Sequence, residues 1–171
     1  MKKIVHLYWQ EECFKEVEEV AKVLQTHFPA TVIAKGVREP SRRAFDTARG
    51  NYDAFYLLRE LPETELVLWL IKEDISYAGY DFLYGAAWQS AAVVSAARIG
   101  FSENLQKEAC HEFGHLLGLE HCKNSCLMGV SSDLSKLSAK PLSLCEECSS
   151  QFEPECAAPA KFALHSVLRV V

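Results

Sequence analysis

The feature that most limits what this chain can become is the stretch His111-Glu-Phe-Gly-His115-Leu-Leu-Gly118-Leu-Glu-His121. Residues four apart on a helix lie one turn above each other, so His111 and His115 point toward one place, with Glu112 on the rim of the same face. Gly118 stands where a helix can stop by entering a left-handed conformation that glycine adopts cheaply. The chain turns there, and His121 can swing back as a third ligand. Three protein ligands leave the fourth tetrahedral position of Zn²⁺ to water, the open arrangement of a catalytic rather than a structural site. Histidines on an amphipathic helix can also be ordinary satisfied polar groups. Gly118 and His121 at the required offsets favour the metal site.

A second pattern follows at once, Cys122-Lys-Asn-Ser-Cys126-Leu-Met128, and further on stands Cys145-Glu-Glu-Cys148. Thiols in two close pairs suit a closed tetrahedral zinc site, or alternatively two disulfides whose pairing the sequence does not reveal. The chain has seven cysteines, an odd number, and its start does not read as a secretion signal. Lys2 and Lys3 lead into an apolar run that is short, interrupted by His6 and followed by Glu11 and Glu12. A reducing, cytoplasmic setting keeps thiols free for metal, so zinc is the expected occupant. Cys13 and Cys110 read as buried apolar filler. Cys156 falls in a tail without clear pattern. His6, His27 and His165 read as ordinary histidines, because the first site already has its three ligands.

Taken together, these motifs resemble the archaemetzincins, a metzincin branch in which the zinc-binding consensus runs directly into a four-cysteine pattern. The resemblance is anchored from His111 to Cys148. It extends more weakly to Asp74-Ile-Ser-Tyr-Ala-Gly-Tyr-Asp-Phe-Leu-Tyr-Gly85-Ala and to Ala92-Val-Val-Ser95-Ala-Ala-Arg98. It implies a catalytic zinc on His111, His115 and His121, with Glu112 as general base, and a structural zinc on Cys122, Cys126, Cys145 and Cys148. It also assigns Met128 to the methionine turn beneath the site, where residue chemistry alone reads plain core packing. The implied fold is a metzincin-like single domain over residues 1–171, with a mixed, mostly parallel twisted sheet of about five strands and packed helices. Residues 1–118 would carry the sheet and the active-site helix. Residues 119–171 would carry the third histidine, the methionine turn and the cysteine-rich zinc site.

The implied activity is hydrolysis of peptide bonds in a peptide or protein substrate, with an aminopeptidase-like preference for short peptides. The alternative is a zinc-binding protein of the same fold with little or no protease activity, serving as a peptide or protein binding module. Glu112 argues for catalysis, since a pure binding site has no use for a carboxylate placed as a base. An exposed strand edge over residues 80–85, beside the metal cleft, would offer substrate backbone donors and acceptors in register.

Composition narrows the partners. At 171 residues and 49% hydrophobic content the chain can bury an adequate core without disulfide staples. A net charge of -5 and a pI near 5.7 provide no basic patch for nucleic acid or anionic membrane, which counts against a nucleic-acid-binding zinc ribbon. No apolar stretch reaches the roughly 18 residues of a spanning helix. A soluble cytoplasmic monomer with two zinc ions and no pro-segment is expected.

The order of elements reads as α/β. Residues 3–9 form a strand, and Phe14, Val17, Ala21, Leu24 and Phe28 recur at helical spacing up to Pro29. Residues 31–35 form a second strand, which favours a right-handed parallel crossover. Residues 36–50 have no clear period and read as loop with a short helical turn. A helix over 53–61 stops at Pro62, and 65–71 is a buried strand by its Val, Leu and Trp content. Residues 80–84 and 91–99 form further strands, and Ser102 caps the helix bearing His111 and His115. Pro154 and Pro159 interrupt the tail, whereas 162–171 is apolar enough to dock as a last helix or strand.

Overall fold

The computed structural model describes residues 2–151 and 169–170. Strand β1 (Lys3–Trp9) is followed by a 3₁₀ turn at Glu11–Glu16, helix α1 (Val17–His27) and strand β2 (Ala30–Val37), which pairs parallel with β1. The expected crossover is therefore present. Phe14 departs from the expected helical face: the tighter 3₁₀ winding turns it outward, and it lies exposed with its ring 6.3 Å from that of Trp9.

Residues 36–50 hold more order than their sequence suggests. A 3₁₀ turn at Arg42–Ala44 leads into β3 (Phe45–Asp46), then β4 (Asn51–Asp53) and helix α2 (Ala54–Arg59). The Asp53 side chain caps α2 by accepting from the Tyr56 backbone N–H. Strand β5 (Leu66–Ile71) runs into β6 (Ile75–Tyr77), β7 (Tyr80–Leu83), β8 (Gly85–Trp88) and β9 (Ala91–Ser95). Helices α3 (Glu103–Leu116), α4 (Leu134–Ala139) and α5 (Glu146–Ser150) follow, and β10 (Arg169–Val170) comes last. Within the expected element at 162–171, only β10 lies among the described residues; Cys156 and His165 lie outside them.

The strands form a mixed α/β arrangement of two sheets. The larger runs β10-β8-β9-β5-β1-β2, with β2, β1, β5 and β9 mutually parallel and β8 antiparallel to β9. The smaller runs β3-β4-β6-β7 and leaves β7 as an edge. Helices cover both faces of the larger sheet, which explains why β5 is an unbroken apolar run rather than an alternating one. Leu68 and Leu70 pack with Val20 and Leu24 of α1 and with Leu105, Ala109 and Phe113 of α3. Val67, Trp69 and Ile71 pack with Ala54, Leu57 and Leu58 of α2. Among the described residues, no helix is long and apolar enough to cross a membrane.

Candidate metal centre

Helix α3 carries the first two histidines into the interior. Ser102 starts it by accepting from the Asn104 backbone N–H at 3.3 Å. The helix is held against β8 and β9 on one side and α4 on the other, where buried Lys107 bonds the Ser138 carbonyl at 2.7 Å. Gly118 ends it as the sequence predicts, with φ at 91°. The Gly118 N–H donates to the His115 carbonyl, and the Leu119 N–H to the Gly114 carbonyl, both at 3.0 Å. This is a Schellman closure, which needs a left-handed residue at Gly118. It also drops the Leu119 carbonyl beside His115 and sends the chain back toward His121.

The three histidines meet. Their ligand-capable nitrogens lie within 4.8 Å of one another, and their ring centroids are 4.7 to 5.4 Å apart. His111 Nδ1 donates to the Leu127 carbonyl at 3.0 Å, and His115 Nδ1 to the Leu119 carbonyl at 2.8 Å. Each proton is thereby placed on Nδ1, leaving Nε2 as a bare lone pair. The two Nε2 atoms are 3.1 Å apart. Two lone pairs at that distance repel unless a cation lies between them, and a tetrahedron with Zn–N arms of about 2.0–2.1 Å has edges of about 3.3 Å. The residues present fit a zinc ion.

Glu112 is fully buried beside them, and among the described residues its carboxylate oxygens meet no hydrogen-bond partner other than the Glu108 carboxyl. Burial, reinforced by Glu108, pushes its pKa well above the ordinary carboxylate range. A cation held by the histidines acts in the opposite direction. Burial and the Lys140 charge push His111 well below the usual imidazole range, which keeps it neutral and able to ligate.

Glu108 and Lys140 are the residues that sequence reasoning missed. Glu108 lies one turn before Glu112, is fully buried, and is pushed up to about 7 by burial, against the opposing pull of Lys140. Its spacing of four from Glu112 is the signal that could have found it. Lys140, also buried, donates to the Gly129 carbonyl at 3.1 Å, with its Nζ 3.4 Å from His111 Nδ1. Nothing in its local sequence marks it.

The four cysteines of the two pairs also converge. Their sulfurs lie within 4.8 Å of one another, and all described cysteines are free thiols, so the disulfide alternative is not realised here. Cys122 Sγ and Cys145 Sγ are 3.7 Å apart, against an edge of about 3.8 Å for a tetrahedron with Zn–S arms of about 2.3 Å. The Cys148 backbone N–H, ahead of side-chain donors, lowers Cys145 to about 6, which favours the thiolate that metals require. Cys13 and Cys110 are buried filler as expected. His6, on β1, pairs with Glu65 just before β5, and His27 ends α1. Met128 is fully buried against Gly114, in the turn that presents Leu127 to His111.

Comparison with known proteins turns this geometry into an identity. The model of Peptidase family M54 matches residues 64–154, more than half of the chain. The chain belongs to peptidase family M54. The archaemetzincin of Archaeoglobus fulgidus is 34% identical over 143 residues, covering 79% of this chain and 89% of its own length. That of Nanoarchaeum equitans is 35% identical over 133 residues, covering 75% and 78%. The crystal structure of the A. fulgidus archaemetzincin superposes with a TM-score of 0.78 at 29% identity, over 86% of this chain and 99% of that one. The structure of a zinc-dependent peptidase from Methanocorpusculum labreanum gives 0.74 at 26% identity, over 87% and 100%. This M54 member is an archaemetzincin-type zinc metallopeptidase, acting on peptide or protein substrates. Of the two readings raised by the sequence, membership in the family selects the enzyme.

Proposed function

We propose that Glu112 is the general base of peptide-bond hydrolysis at a catalytic zinc held by His111, His115 and His121, and that Cys122, Cys126, Cys145 and Cys148 hold a second, structural zinc. The observation that carries this reading is the buried Glu112 carboxylate, with no partner but the Glu108 carboxyl among the described residues, next to two Nε2 lone pairs 3.1 Å apart. When bound, zinc supplies Lewis acidity that acidifies a water and polarises a carbonyl. Glu112 accepts the proton released by the attacking water on a carboxylate oxygen and delivers it to the leaving amine. The carbonyls of Leu127 and Leu119 fix the tautomer and orientation of His111 and His115. The buried surroundings exclude competing water and strengthen each charge interaction.

Substrate is proposed to lie as an added strand along residues 80–85. Support comes from β7 ending the smaller sheet as an edge, and from Gly85 adjoining Glu112 two residues further on. Proline substitution along this edge is expected to slow peptide turnover; unchanged turnover would count against the substrate role. A preference for short peptides or free amino termini rests on the family resemblance.

The deciding experiment is digestion of a peptide library by wild type and by Glu112→Ala. The variant is expected to keep its metal and lose turnover by at least about 100-fold. Retained turnover would place the base elsewhere. The cleaved bonds in the wild-type digest report endopeptidase or aminopeptidase mode directly.

A further inference from the structure

The geometry points to Gly85 as a positioning residue for Glu112: the missing side chain on β8 sets where the carboxylate of α3 lies. The kinetic part of this inference rests on the reading of Glu112 as general base; the structural part does not. A Cβ built on Gly85 falls 2.7 Å from Glu112 Cγ, 3.0 Å from Oε1 and 3.1 Å from Cδ. Real Cβ atoms do not keep the first of these distances, and the other two are tighter than most of them keep. Gly85 is not among the glycines with positive φ, so backbone freedom is not what the position demands. Gly85 opens β8, and glycine in a strand often marks a place where another group approaches closely, as Glu112 does here.

The glutamate has little room to give way. It is fully buried, with buried Glu108 one turn behind it and buried Phe113 next along the helix. The strand is fixed as well, because Gly85 pairs with Val94 of β9 in the larger sheet. Among the described residues, no hydrogen bond other than one with the Glu108 carboxyl holds either carboxylate oxygen. Packing, together with the neighbouring Glu108 carboxyl, therefore places the carboxylate on the protein side, and the bare Cα of Gly85 is part of the wall against it. A methyl group there displaces the carboxylate by a large fraction of an ångström. Misplacement on that scale costs up to about 100-fold in rate when geometry is what the site supplies.

The test compares four zinc-loaded proteins: wild type, Gly85→Ala, Glu112→Ala and the double variant. Gly85→Ala is expected to keep the zinc content of wild type, to lose about 10- to 100-fold in kcat on a peptide cleaved by wild type, and to change KM by less than about threefold. Thermal unfolding supplies a second readout that needs no activity. Gly85→Ala should lower Tm when Glu112 is present and leave it unchanged in the Glu112→Ala background, since the clashing atoms are then gone. Equal Tm losses in both backgrounds, or wild-type kcat in Gly85→Ala, overturn the proposal. If wild type turns over no peptide, the assignment of Glu112 as base fails, and the unfolding cycle alone decides for or against Gly85.

Discussion

Gly114 lies in the last turn of α3, where alanine is ordinarily the better helix former by about 1 kcal/mol. Here the sign reverses. A Cβ at this position overlaps the sulfur of Met128 and lies 2.9 Å from its methyl carbon, and that methionine is fully buried. Gly114→Ala is expected to destabilise by about 1–3 kcal/mol, read as a lowered urea midpoint, because overpacking outweighs helix propensity. A raised midpoint would mean that Met128 swings aside. At this scale the site was legible where ligand spacing is local: His111, Glu112, His115 and His121 follow one another on a helix and its turn, and the cysteines come in two short pairs. Glu108 could be reached only by its spacing from Glu112, and Lys140 not at all, because burial of a charge is decided by what packs around it. The role proposed for Gly85 was hidden for the same reason; its partner is on a helix that begins well after the strand ends.

At the scale of elements, α3 bears most of the machinery, and its first turn depends on one side chain. Ser102→Ala removes the acceptor for the Asn104 N–H and is expected to cost about 1 kcal/mol in a denaturation curve, with zinc content unchanged. A loss of metal in that variant would show that the start of the helix, and not only its end, positions the histidines. The elements read from the sequence, β1, α1, β2, α2, β5, β7, β9 and α3, all have four residues or more. The strands β3, β4 and β6 have only two or three residues each, too few for any periodicity to emerge. They exist because the smaller sheet pairs them, with Tyr52 opposite Ile75 and Phe45 opposite Tyr52. The 3₁₀ turn before α1 was equally invisible, since Phe14 fits a helical spacing that the backbone does not follow.

For the molecule as a whole, the proposed assignment predicts two zinc ions per chain by metal analysis. One ion with four titratable thiols at Cys122, Cys126, Cys145 and Cys148 would remove the structural site. Cys145→Ser is expected to release one zinc and to destabilise by more than about 4 kcal/mol, as loss of a structural metal does. The two clusters are not separate bodies. Leu127 donates its N–H to the Ser143 carbonyl and accepts from His111, while its neighbours are Cys126 and Met128. The Met128 N–H in turn meets the Cys126 sulfur at 3.5 Å. Reagents that attack the thiols would therefore loosen the peptide plane that steers the first imidazole. On the proposed assignment, a chelator or oxidant acting at the four thiols, outside the cleft, is expected to lower activity.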